Sequence, residues 1–328
     1  MNWRENAKRT VYFCVILLLV LLLVFSGLQI LESTVFYKQE VQEGANPSKT
    51  IVRNGIRYFP KQDLTVLMVL GIDQFGKVES SGSYNNSGAA DMISLVIFEE
   101  STKECKVLCL NRDTILEMPV LGIGGKQAGI VRQQLAMAHT YGSGLEDSCV
   151  NTKKTVSNFL YGLDIDYYIS MNMDAISRLN DAVGGVTVTV EDDFSAIDPT
   201  IPMGNVTLTG EQAINFVRTR KDISDQTNIS RMDRHVQYMS GFLDALNQKL
   251  AQSNQFVLST YDAVSDYIVT NCSSTVLSDI FHDYKDYTFT GVLTPEGESV
   301  AGEMYMEFHV DNEKLDALIL QLFYAPKS

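Results

Sequence analysis

The chain has 328 residues, enough for one large domain or two small ones with a buried core. An apolar content of 45% and a charged content of 20% fit a globular protein that carries a membrane segment. A formal net charge of -14 argues against a nucleic-acid binder, whose affinity rests on neutralising phosphates. In chain order the first element is the uncharged run Val11 to Ile30, dominated by Leu, Val and Ile. At ~1.5 Å per residue, about 20 residues span the ~30 Å of a bilayer core. A cleaved signal peptide has an apolar run of only ~7–15 residues and a small-x-small cleavage site; this stretch has neither, so it is predicted to be an uncleaved anchor. Arg4, Lys8 and Arg9 precede it, which puts residues 1–10 in the cytoplasm and everything after the anchor outside the cell.

Residues 31–62 read as a polar stalk followed by a hairpin turning at Asn54-Gly55. The domain proper is predicted over 63–328. Leu64 to Leu70 is an apolar run suited to a strand buried on both faces, and it leads into Gly71-Ile72-Asp73. Residues 74–90, rich in Gly, Ser and Asn, form a loop. Strands at Met92–Phe98 and Lys106–Asn111, joined by a short polar turn, make a hairpin whose register places Asp91 opposite Arg112, with Asp113 next in line. Helices are predicted over Asn151–Leu160, with Gly162 as the stop, and over Asp174–Val183, which ends in Gly184-Gly185. Strands are predicted at Ile165–Met171 and Val186–Val190. Thr209-Gly-Glu-Gln212 fits a capping box, and Ser230 caps a long amphipathic helix. Two strands near 287–293 and 303–309 precede a last helix after Asp311, with Leu315, Leu318 and Leu322 inward. The pattern predicts an α/β fold with a mixed central β-sheet sandwiched by helices. The cysteines form no regular framework; Cys105 and Cys109 lie on one strand, nothing argues for a Cys149–Cys272 bridge, and buried free thiols are expected.

Familiar catalytic patterns are missing. The four histidines are scattered, no His or Cys pair has zinc spacing, and there is no Gly-x-Ser-x-Gly elbow. Arginine placement stands out instead. Nine arginines follow the anchor, and four of them, Arg218, Arg220, Arg231 and Arg234, fall within 17 positions. Arg231, Arg234, His235 and Tyr238 share a helix face, and Arg231 sits in the first turn, where free backbone N–H groups favour an anion. Such a cluster suits pyrophosphate, because each guanidinium offers a bidentate fork. It reads equally as a salt-bridged surface. Likewise, Asp91 and Arg112 could be a plain cross-strand ion pair, and Asp73 a loop cap.

Several segments together resemble the LytR-CpsA-Psr family: Leu67-Met-Val-Leu-Gly-Ile-Asp73, Ala90-Asp91-Met-Ile-Ser, Leu110-Asn-Arg112-Asp113-Thr114, Asp164-Ile-Asp-Tyr-Tyr168, Asp181-Ala-Val-Gly-Gly185, Gly210-Glu-Gln-Ala-Ile-Asn-Phe-Val-Arg218-Thr-Arg220 and Arg231-Met-Asp-Arg234. They occur in the family's order over roughly residues 64 to 324. The resemblance implies transfer of a glycopolymer from a polyprenyl-pyrophosphate lipid to a peptidoglycan sugar hydroxyl through a phosphodiester, with Mg²⁺, at the outer face of a bacterial cell membrane. Asp73 and Asp91 would hold the metal or orient the acceptor, and Asp91, Arg112 and Asp73 would form the catalytic set. Arg112, Arg218, Arg220, Arg231 and Arg234 would grip the pyrophosphate, with Asp113, Gln134 and His235 beside them. Three positions depart from the family pattern: Ala89 and Gln134 replace an arginine and a lysine, and His235 replaces a glutamine. Two rival readings follow, a non-catalytic lipid-pyrophosphate scaffold and a hydrolase of the same lipid.

Overall fold

Asn54 and Gly55 adopt φ of 51° and 77°, the left-handed pair that a two-residue hairpin turn needs. They join β1 (Ile51–Arg53) to β2 (Ile56–Pro60), as predicted. The structure, a computed structural model, describes residues 50–219, 223, 228–253, 255–284 and 286–326. The predicted cytoplasmic tail and anchor, the stalk to residue 49, and Arg220 lie outside the described residues. Among the described residues no helix is long and apolar enough to cross a membrane.

The apolar run becomes β3 (Leu64–Ile72), buried from Val66 onward. β4 (Ala90–Glu99) and β5 (Glu104–Leu110) form the predicted hairpin, pairing Ile93 with Leu110 and Glu99 with Glu104. A hairpin absent from the sequence reading follows, β6 (Ile115–Leu121) with β7 (Gln127–Gln134), then a 3-10 segment over Leu135–Tyr141. Helix α1 (Glu146–Phe159) begins five residues before its predicted start and ends with Gly162 at φ 82°. β8 (Tyr167–Asn172), α2 (Met173–Ala182) and β9 (Val186–Val190) occur close to where expected. β10 (Gly204–Leu208) pairs with β9 and was not anticipated.

Helix α3 (Gly210–Arg218) opens with the reciprocal capping box of Thr209 and Gln212. A side chain at position 210 would collide with Ser177 and Asp181 of α2. Glycine there lets α3 seat directly on α2, where the Gly210 amide donates to Asp181 Oδ1 at 2.8 Å. The long helix α4 (Asn228–Gln252) starts at Asn228, so Ser230 lies within its first turn rather than capping it. The chain continues through α5 (Phe256–Val264), β11 (Ile268–Thr270), α6 (Ser274–Tyr284), β12 (Thr288–Leu293), β13 (Gly297–Ala301), β14 (Met306–Val310), α7 (Asn312–Phe323) and β15 (Tyr324–Pro326). Asp311 caps α7 by accepting from the amides of Glu313 and Lys314. β14 begins at Met306, later than the predicted 303, because Gly302–Tyr305 makes the turn from β13.

Six strands form the central sheet in the order β11-β8-β3-β4-β5-β12. It is mixed: β8 runs parallel to β3 and β12 parallel to β5, while the other neighbours are antiparallel. One face packs Met68, Leu70 and Leu95 against Cys149 and Val156 of α1 and Leu315, Ile319 and Leu322 of α7. The other face packs Leu67, Val69, Val96 and Val107 against α5 and α6, with Val236 and Leu243 of α4 only half-buried above it. A third cluster joins the β9–β10 hairpin to α3 and α4 through Val186, Val188, Phe216 and Leu246. Covering both faces explains why β3 reads as an unbroken apolar run. Cys105, Cys109, Cys149 and Cys272 are free and buried, as expected.

Candidate functional site

The β4–β5 register delivers Asp91 and Arg112 to the same end of adjacent strands. Arg112 Nη1 donates to Asp91 Oδ1, and Arg112 Nε lies 3.4 Å from Asp113 Oδ1. Arg231, in the first turn of α4, donates from Nη1 to Asp91 Oδ2 at 2.9 Å, with its side chain only 5% exposed. One carboxylate therefore stands between two guanidinium groups contributed by distant parts of the chain. Arg218, the last residue of α3, donates from Nε to Asp73 Oδ1 at 2.6 Å, and its guanidinium lies 5.4 Å from the centre of the Phe75 ring. Asp73 follows β3 directly, so both carboxylates emerge at the ends of neighbouring sheet strands.

Asp91, Arg218, Arg231 and His235 line one cleft, with an empty volume of about 1120 Å³, between the sheet and α4. Its other walls are apolar: Val69, Val96, Ile169, Met171, Leu179 and Phe242 among them. From Asp91 to Val96 is ~16 Å along a strand, and from Arg231 to Leu243 is ~18 Å along a helix. The cleft is thus elongated, with arginines toward one end and hydrocarbon-like walls beyond. An anion can be held at the first while an apolar tail occupies the second.

The remaining predicted site residues are placed elsewhere or serve as supports. Arg234 faces away from the cleft. It donates from Nε to the Phe216 carbonyl at 3.1 Å, from Nη1 to Asp192 Oδ2 at 2.9 Å, and from Nη2 to the Thr219 carbonyl. It ties α3, α4 and the segment after β9 together. Gln134 donates to Asp113 Oδ1 at 2.7 Å and to the Met306 carbonyl at 2.8 Å, bracing Asp113 without adding charge. His235 lies 2.8 Å from the Val217 carbonyl through Nε2, which must carry the proton because a carbonyl only accepts. Burial, together with the nearby Arg231 charge, brings the His235 pKa down to about 4, so its imidazole is neutral at physiological pH.

Sequence reasoning missed His139 and Asn86. His139 Nδ1 donates to the Gly88 carbonyl at 2.7 Å, three residues before Asp91. Asn86 donates to the carbonyls of His139 and Gly142, at 2.8 and 2.9 Å. Together they fasten the loop that leads into Asp91. Neither had a signal, since His139 was one of four scattered histidines and Asn86 one polar residue in a polar loop. Burial lowers the His139 pKa to about 4 as well. Unfolded, both histidines titrate near the ordinary 6.5. Below that pH the unfolded chain binds more protons, so their stabilising share is complete above about pH 6.5 and fades as pH falls toward 4. Each histidine accounts for up to ~1.4 kcal/mol per pH unit in that window. Urea midpoints measured from pH 7 to 4.5 should therefore drop, and His139→Gln should flatten the slope. An unchanged slope in that variant would show that His139 does not titrate this way.

The sequence matches the LytR_cpsA_psr family over residues 26–322. The chain belongs to this family. Among its LytR-CpsA-Psr relatives, the TagU polyisoprenyl-teichoic acid–peptidoglycan teichoic acid transferase of Bacillus anthracis is 29% identical over 231 residues. That alignment covers 69% of this chain and 66% of the relative, just under two-thirds of its length. TagU of Oceanobacillus iheyensis is 24% identical over 313 residues, covering 92% of this chain and 89% of that protein. The solved structure of TagT bound to LIIa-WTA superposes with a TM-score of 0.62 at 23% identity, covering 80% of this chain and 90% of that one. The mixed α/β fold expected from the resemblance is the fold that LytR-CpsA-Psr structures share.

Proposed function

We propose that the domain transfers a glycopolymer from a polyprenyl-pyrophosphate lipid to a peptidoglycan sugar hydroxyl, forming a phosphodiester. The observation that carries this reading is the cleft, whose apolar length ends at Asp91, Arg218 and Arg231. A prenyl chain fits the apolar walls and a pyrophosphate fits the guanidinium end. The names of the TagU relatives support the same chemistry. In this reading the acceptor hydroxyl attacks the phosphorus next to the glycan. The bond to the lipid-side phosphate breaks, and polyprenyl phosphate leaves. Arg112, Arg218 and Arg231 hold the phosphate oxygens and offset the charge that develops on them, the main requirement of phosphoryl transfer. Asp73, the more exposed carboxylate, takes the hydroxyl proton and passes it to water. Residues 11–30 anchor the domain at the outer face of a bacterial membrane, where the lipid donor is met.

Among the described residues no cluster of three or more His, Cys, Asp or Glu forms a metal cage. Mg²⁺ does not need one: it is commonly held by one or two carboxylates, with substrate phosphates and water completing six ligands. Asp73 and Asp91 fit that role, since each carboxylate has lone pairs beyond those its arginine partners occupy. When bound, Mg²⁺ would neutralise phosphate charge. Calorimetry with geranylgeranyl pyrophosphate should show tighter binding in Mg²⁺ than in chelator, and Asp91→Asn should lose that gain. Equal affinity in both buffers would remove the metal from the scheme.

A second reading, a non-catalytic lipid-pyrophosphate binder, is favoured by Gln134 and His235. Both are neutral where added positive charge would have assisted transfer. Incubating lipid-linked glycan with and without a sugar acceptor distinguishes the readings. Phosphodiester product only with acceptor supports transfer, free glycan phosphate in both indicates a hydrolase, and no product indicates a scaffold.

A further inference from the structure

We infer that a second groove, beginning at Thr114, binds the acceptor as a polysaccharide strand; this rests on the transfer reading above. The groove has an empty volume of about 680 Å³, and its lining includes Thr114, Arg132, Phe159, Tyr161, His309 and Asn312. Its character differs from that of the cleft. Aromatic rings and hydrogen-bonding side chains share its walls with the aliphatic Ile115, Leu116, Val310 and Leu315. A pyranose ring presents that combination, with C–H groups on its faces and hydroxyl or acetamido groups around its edge. Tyr and Phe cover the faces, and Asn and His meet the edge. Arg132 adds one cation, suited to a carboxylate carried on a sugar.

Two further observations support a built site. Tyr161 holds φ at 61°, a left-handed conformation that a bulky side chain rarely adopts and that costs on the order of 1–3 kcal/mol. Its hydroxyl donates to Asp316, which fixes the ring while leaving the residue 37% exposed. An aromatic residue is thus kept, at some cost, on the rim of a groove. The second observation is continuity with the charged site. Arg112, which pairs with Asp91, precedes Thr114 by two residues within one tight turn, closed by the Thr114 amide donating to the Asn111 carbonyl at 3.1 Å. The Phe308 amide donates to the Asp113 carbonyl at 2.8 Å, and Gln134 holds the Asp113 carboxylate. The groove wall and Arg112 are therefore rigidly coupled, and a strand lying in the groove leads toward that arginine at the end of the sheet.

The test uses the full chain and a soluble, uncross-linked peptidoglycan tetrasaccharide, with geranylgeranyl pyrophosphate as donor-site probe. Tyr161→Gly removes the ring and suits the left-handed backbone, and Arg132→Gln removes the exposed cation. Each should weaken tetrasaccharide binding about tenfold and raise the acceptor KM, with pyrophosphate affinity within twofold of wild type. If Tyr161→Gly melts early, Arg132→Gln alone decides the matter. Tetrasaccharide that fails to bind wild type, or binds both variants as tightly, overturns the groove assignment. Tetrasaccharide binding that depends on these residues in a chain that does not bind the pyrophosphate probe would uphold the groove and overturn the donor reading.

Discussion

Arg231→Ala should weaken binding of a polyprenyl-pyrophosphate probe by about 10- to 100-fold while leaving the domain folded. A hydrogen bond to a charged group contributes about 1.5–3 kcal/mol, and ~1.4 kcal/mol is one decade of affinity. The fold should tolerate the change because Asp91 keeps Arg112 as a partner when Arg231 is removed. Arg231→Lys should recover only part of the affinity, since an ammonium cannot hold Asp91 and a phosphate with the same planar fork. Fluorescence or calorimetric titration reads both variants. Wild-type affinity in Arg231→Ala would mean that the cleft's charged end is a structural ion pair and the ligand binds elsewhere.

Arg234→Ala should do the reverse, costing about 3–5 kcal/mol of stability with little effect on affinity. Its guanidinium is buried, pairs with Asp192 and satisfies two carbonyls at the end of α3. Truncation leaves the carboxylate and both carbonyls short of a donor in a poorly solvated place, the situation in which losing one partner is most damaging. For a domain of this size the melting temperature should fall by roughly 10 °C. The probe's Kd, measured well below the transition, should remain within about threefold of wild type. An unshifted melting temperature would refute the bracing role, and a large loss of affinity would return Arg234 to the binding set.

The contrast between these arginines shows where the sequence was legible. Helical periodicity groups Arg231, Arg234, His235 and Tyr238 on one arc, and three of the four line the cleft. Arg234 lies about 60° from Arg231 around the axis, on the side facing α3, and one-dimensional spacing cannot show which neighbour packs at the edge of an arc. The β4–β5 hairpin was legible because a short polar turn separates two apolar, β-prone runs, so its register and the Asp91–Arg112 pair followed. β7, β10 and β13 were not, because their mostly exposed residues carry no hydrophobic period, and β6 was not, because Pro119 interrupts its run. The partners of Gln134 and His139 were beyond reach, since Met306 and Gly88 are joined to them only through the tertiary fold.

The sheet order also bears on how this protein is made. β3 pairs with β8 about a hundred positions later, and β5 with β12 more than 180 positions later. Pairings that close such long loops form slowly, and they cannot form at all until the later strand is available. During synthesis β5 therefore waits with an open edge, its unpaired N–H and C=O groups beside Val107 and Leu108, until Thr288–Leu293 arrives. From residue 234 onward the nascent chain holds every arginine of the site yet remains exposed to edge-to-edge association. Holding chaperones would matter most for translation products that stop short of residue 288.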